Sequence, residues 1–124
     1  SMPAFGASGP WRGFRAYGST VEHASGLPHL NGLPDDPPAM HHVAYGDPVG
    51  GLNGAVALLI ALRHRLRTGA GQFVDLSQAE CLFPLAIHGI LEQSATGRTP
   101  VRTGNANAAC APHGVYPCTG EDAW

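Results

Sequence analysis

The clearest periodic signal in the chain runs from residue 48 to residue 67. Leu52, Ala55, Val56, Leu59, Leu62 and Leu66 recur at i, i+3, i+4, i+7, i+10 and i+14, which is one stripe of a helix. Ala57, Leu58, Ile60 and Ala61 make the opposite side apolar as well, and this predicts a helix buried nearly all round. Asp47 suits the N-cap, Pro48 the first helical position, and Gly69 the stop after Arg67. Arg63, Arg65 and Arg67 fall in the last turns, where positive charge complements the helix dipole.

Weaker patterns flank this element. Residues 1–18 are punctuated by Pro3, Gly6, Gly9-Pro10, Gly13 and Gly18 and read as loop. Ser19-Thr20-Val21-Glu22 has capping-box spacing and predicts a short helix closed by Gly26. From Leu27 to Met40, repeated Pro, Gly and Asp predict an irregular connection. Gln72–Leu76 alternates enough for a short strand. Ser77-Gln78-Ala79-Glu80 is a second capping box, opening a helix through Leu82, Leu85, Ala86, Ile90 and Leu91, kinked at Pro84 and ended by Gly97. Residues 98–114 read as a linker, and Val115-Tyr116 as the first arm of a hairpin whose return arm is missing. The expected architecture is α/β, mainly helical with short strands, seen through a window of something larger.

Composition narrows the function classes. Of 124 residues, 44% are apolar and 13% charged, so a buried core is feasible and intrinsic disorder is a poor fit. Every basic residue is an arginine, and the formal charge of −2 is too small for a nucleic-acid footprint. No apolar run reaches the ~18 residues of a membrane span, and no signal-peptide layout opens the chain, which suggests a cytoplasmic protein. Cys81, Cys110 and Cys118 form no C-x-x-C pair and read as reduced thiols. The seven histidines are scattered without metal-ligand spacing, so no metal site is expected.

The stretch most suited to chemistry is Tyr45-Gly46-Asp47-Pro48-Val49-Gly50-Gly51. It places a carboxylate where a loop becomes a long helix, among glycines that allow close approach. A carboxylate can attack an activated acyl group to give a covalent intermediate, and amides at a helix start can receive an oxyanion. On spacing alone, an ordinary Asp N-cap followed by Pro explains the same residues.

The run Met2-Pro3-Ala4-Phe5-Gly6-Ala7-Ser8-Gly9-Pro10-Trp11-Arg12, then Tyr45-Gly46-Asp47-Pro48 and Gly51-Leu52-Asn53-Gly54-Ala55, resembles the class III CoA-transferase family. The resemblance continues through Ala61-Leu62-Arg63-His64-Arg65, Arg67-Thr68-Gly69, Gly71-Gln72 and Asp75-Leu76-Ser77 to Pro112-His113-Gly114-Val115-Tyr116-Pro117-Cys118. It implies an internal fragment of a Rossmann-like large domain leading into a small one. Residues 1–97 would close the large domain, 98–112 link, and 113–124 begin the small domain. It also implies that Asp47 is the catalytic aspartate and that Arg15, Ala16, Tyr17 and Gly18 contact coenzyme A. The reaction implied is transfer of CoA between carboxylic acids through aspartyl acyl and aspartyl-CoA intermediates. Acyl-CoA and an acceptor acid are its substrates, with no permanently bound cofactor. The family assembles as interlocked homodimers, and the truncated chain alone is expected to be inactive.

Two departures shape the reading. Where the family's racemases place a histidine, this chain has Tyr17, with His23 out of register, and racemisation needs an acid and a base on opposite faces of the carbon. Where formyl-CoA transferase has a glycine run over its active site, this chain has Asn107-Ala108-Ala109-Cys110, which departs from oxalate-like specificity. The alternatives are a racemase or isomerase of the same family and a non-catalytic helical piece that dimerises through its long helix.

Overall fold

A computed structural model describes residues 1–122 of the chain. It is mainly helical, with five helices: α1 (Gly18–Ala24), α2 (Leu27–Leu30), α3 (Gly46–Thr68), α4 (Gln78–Cys81) and α5 (Ile87–Thr96). No strand forms among the described residues. Helix α3, at 1.5 Å per residue, is about 35 Å long.

Glycine ends three of these segments as its backbone freedom suggests. Gly26, Gly69 and Gly97 are left-handed at φ of 81°, 75° and 71°, and the Gly69 and Gly97 amides bond back to Arg65 and Gln93 at 2.8 and 2.9 Å. Ser77 caps α4, its hydroxyl accepting from the Glu80 amide.

Elsewhere the chain departs from its pattern. Pro84 does not kink one long helix but separates α4 from α5. It lacks the N–H that would continue the ladder, and residues 82–86 close into three-residue turns such as Leu85 N–H to Leu82 C=O. The Ser19 capping box does not form. Helix α1 begins at Gly18, with Tyr17 as its cap residue, and Glu22 turns inward instead of reaching back. Leu27–Leu30 gains the short α2, with Pro28 in its first turn, inside the segment expected to be irregular. Residues 72–76 are extended but are not a strand. Ser1 donates to the Val74 carbonyl, Leu76 to the Ser1 carbonyl and Gln78 to the Pro3 carbonyl. That is parallel pairing with one partner unable to donate, because Pro3 has no N–H. Val115 and Tyr116 form no strand either; Ala123 and Trp124, in the expected small-domain segment, lie outside the described residues.

The core is small and sits where α1, α3 and α4 meet. Val21, Ala79 and Leu82 are buried there, with Ala4, Phe5, Ala16, Tyr45 and Val49 packed around them. Helix α3 is not buried all round. Leu59 is 65% and Leu66 87% exposed, and Leu52, Leu58 and Ile60 also face solvent. Apolar spacing records which side chains seek cover, and the described residues cover only part of this helix. Gln78 of α4 lies against Gly50, Met2 against Gly54, and Gly71-Gln72 near Leu58, Ala61 and Leu62.

Candidate active site

The N-termini of α1 and α3 meet backbone to backbone. A Cβ placed on Gly46 would lie 2.4 Å from the Gly18 carbonyl oxygen and 2.8 Å from its Cα, so only glycine allows this approach. Asp47 follows directly and sits over Gly18: a Cβ on Gly18 would lie 2.5 Å from the Asp47 Cγ. Asp47 belongs to the first turn of α3, and Tyr45 takes the cap position that the sequence pattern gave to Asp47. Its carboxylate is exposed and caps nothing, and among the described residues it has no hydrogen-bond or ion-pair partner.

Of the segment expected to contact CoA, the structure brings Gly18 directly to Asp47. Tyr17 is 85% exposed, Arg15 is exposed, and Ala16 is half-buried against the core. Arg15 has no ion pair among the described residues, so its guanidinium is available to an anion. The amides at the start of α3 are less available than expected. Asp47 N–H donates to the Ala44 carbonyl at 3.1 Å, Val49 N–H to the Tyr45 carbonyl at 3.1 Å, and Pro48 has none. His23 is held by its own helix: Nδ1 donates to the Ser19 carbonyl at 2.8 Å.

Glu22 is the residue that sequence reasoning misplaced. It lies one helical turn after Gly18 and is 0% exposed. One carboxylate oxygen accepts from the His41 amide at 2.9 Å and the His41 Nδ1 at 2.8 Å, the other from the Tyr45 amide at 2.7 Å. The His41 and Tyr45 rings meet edge to face at 4.9 Å. Burial pushes the Glu22 carboxyl up, but the hydrogen bonds from His41 and Tyr45 and the nearby imidazole outweigh it, and the net shift is downward. The only signal in the sequence was that Glu22 falls on the same helical face as Gly18, Val21 and Ser25; the structure buries all four.

Two clefts flank α1. One, of about 340 Å³, is lined by Ser25, His29, Leu30, Gly89, Ile90 and Pro100; the other, of about 190 Å³, by Phe5, Trp11, Ala24, Ser77, Glu80 and Phe83. Neither includes Asp47, which stands on open surface. Cys81 is half-buried, and burial together with Glu80 pushes its thiol up, away from nucleophilic chemistry. Among the described residues no cluster of three or more His, Cys, Asp or Glu could hold a metal, and no helix is long and apolar enough to cross a membrane.

Comparison with known proteins agrees with the family resemblance. The chain is 36% identical, over 99% of its length, to a succinyl-CoA–D-citramalate CoA-transferase of Chloroflexus aurantiacus, of which it covers 30%. It is 32% identical over 94% of its length to a succinate–glutarate CoA-transferase of Agrobacterium fabrum, covering 29% of that protein. A crystal structure of a CAIB/BAIF family protein from Brucella suis superposes with a TM-score of 0.81 at 32% identity, over 90% of this chain and 29% of that one. The chain thus spans about 30% of the length of the curated relatives it matches. A family model described as CoA-transferase family III matches residues 1–124 end to end, and the chain belongs to that enzyme family.

Proposed function

We propose that this chain carries the nucleophile segment of an enzyme that moves coenzyme A from an acyl-CoA to a carboxylic acid, with Asp47 as the attacking group. The observation that carries this reading is the Asp47 carboxylate itself, exposed and unpartnered at the mouth of α3. An exposed carboxylate with no cation to neutralise it keeps its lone pairs for attack. The glycine beneath it lets the segment 15–18 lie close by, where Arg15 offers a charge to a CoA phosphate and Ala16, Tyr17 and Gly18 offer backbone and ring contacts.

The steps balance without a proton donor. The Asp47 carboxylate adds to the thioester carbonyl, the carbon–sulfur bond breaks, and CoA leaves as thiolate, giving a mixed anhydride. The thiolate attacks the Asp47 carbonyl and expels the donor acid, leaving an aspartyl-CoA thioester. An acceptor carboxylate displaces the thiolate to form a second anhydride. Attack of the thiolate on the acceptor's acyl carbon then frees the new acyl-CoA and regenerates Asp47. Racemisation is disfavoured because Tyr17 stands at the position of the partner histidine and His23 is committed to Ser19.

In the same reading, residues 1–97 close a Rossmann-like large domain, 98–112 form the linker and 113–124 open the small domain. The enzyme is a cytoplasmic homodimer, and the exposed apolar side of α3 is covered by further chain or by the partner copy. The two relatives described above are named for succinyl-CoA and for succinate, which makes succinyl-CoA the first donor to try. The test is hydroxylamine trapping in the full open reading frame that encodes this chain, during turnover with succinyl-CoA. A hydroxamate on Asp47, with no turnover in Asp47→Ala, supports the assignment. Transfer persisting in Asp47→Ala overturns it.

A further inference from the structure

The loop that delivers Asp47 is folded by a single buried carboxylate. Glu22 takes three hydrogen bonds from a five-residue stretch, two from His41 and one from Tyr45, at 2.7 to 2.9 Å. The stretch is not one that its sequence adopts unaided, because Ala44 is held at φ 44°, in the left-handed region that disfavours a Cβ. The Ala44 carbonyl in turn accepts the Asp47 amide, and the Tyr45 carbonyl accepts that of Val49, so these two residues start the first turn of α3. Gly18, one turn before Glu22, makes the matching contact on the other side. Among the described residues the Asp47 side chain has no hydrogen-bond or ion-pair partner, so the place of its carboxylate depends on where the backbone of this first turn sets it, over Gly18.

We propose that Glu22 is a positioning residue for Asp47. Holding His41 and Tyr45, it fixes the loop 41–45 and thereby the direction from which the Asp47 carboxylate meets a thioester carbon, without itself touching substrate. The inference rests on the reading of Asp47 as nucleophile. Reacting groups must be held near their attack geometry, so loosening this clamp lowers the rate of acylation more than it weakens acyl-CoA binding.

The experiment uses the full open reading frame with succinyl-CoA as donor and glutarate and citramalate tried as acceptors. Glu22→Gln keeps the size of the side chain but replaces one acceptor oxygen with a donor. Its kcat is expected to fall 10- to 100-fold, with KM for succinyl-CoA within twofold of the parent and hydroxylamine trapping of Asp47 slowed in the same proportion. His41→Ala removes one of the three bonds and serves if Glu22→Gln does not fold; His41→Gln returns an amide donor and should recover most of the loss. A merely structural role would lower the folded fraction but leave kcat per folded site unchanged, and that result overturns the proposal. If Asp47→Ala is dead and Glu22→Gln and His41→Ala keep kcat within twofold, the clamp alone is refuted; if Asp47→Ala turns over, the nucleophile reading falls with it.

Discussion

Replacing Gly18 with alanine puts a methyl group where the Asp47 carboxylate now rests. The new Cβ would lie 2.5 Å from Cγ and Oδ2 and 2.8 Å from Oδ1, about 1 Å inside ordinary contact. The atoms in the way are the far end of an exposed side chain, so they can rotate out instead of forcing the backbone apart. Gly18 is the first residue of α1, where alanine restricts the unfolded chain without cost to the helix. Folding stability should therefore change by less than ~1 kcal/mol. The chemistry should not be spared: a displacement of about 1 Å at a reacting group costs up to about 100-fold, equivalent to about 2.7 kcal/mol of barrier. The assay is CoA transfer from succinyl-CoA in the full-length enzyme, followed by chromatography of the CoA esters, beside urea denaturation of the same preparations. Loss of kcat at unchanged stability fits the geometry. Full activity in a folded Gly18→Ala enzyme would show that the carboxylate works from another position, and the reasoning from this contact would be wrong.

Two further outcomes follow from neighbouring atoms. Gly46→Ala meets backbone, not a side chain, since its Cβ would lie 2.4 Å from the Gly18 oxygen; overpacking of this kind costs about 1–3 kcal/mol, read as a lower urea midpoint. The Glu22 carboxyl is depressed in the folded chain from an ordinary value of 4.5. Its contribution to stability is therefore present above pH 4.5 and is lost as pH falls through the lower folded value. Comparing the parent with Glu22→Gln by denaturation between pH 7 and pH 3, the difference between them should shrink toward the acid end; a constant difference contradicts the assigned shift.

How far these features could be read from sequence depends on the range of the interaction. Helix α3 and the stops at Gly26, Gly69 and Gly97 were legible because spacing and left-handed glycine act within a turn or two of chain. The place of Asp47 at a loop-to-helix junction was legible for the same reason. Glu22 was not, because Ser-x-x-Glu spacing fits a cap equally well and the donors that decide the matter are 19 and 23 residues away. The pairing of residues 74–78 with residues 1–3 is longer in range still, and Pro3 leaves it without the alternation of a full ladder. The exposure of α3 was misjudged because apolar periodicity counts side chains, not neighbours.

The loop between α2 and α3 has a further dependence that its composition hides. Its first part is stitched from far along the chain by one guanidinium: Arg102 donates to the carbonyls of His29, Leu33 and Asp36. A planar group with five N–H donors can gather three oxygens that point in different directions, whereas an ammonium on a flexible stem is poorly suited to it. Segments rich in proline and glycine usually accept insertions and substitutions freely. Here that latitude is curtailed up to Asp36, where lengthening the loop would pull carbonyls off a fixed fork, and again from His41 to Tyr45, where Glu22 holds the chain; it remains only in the few residues between.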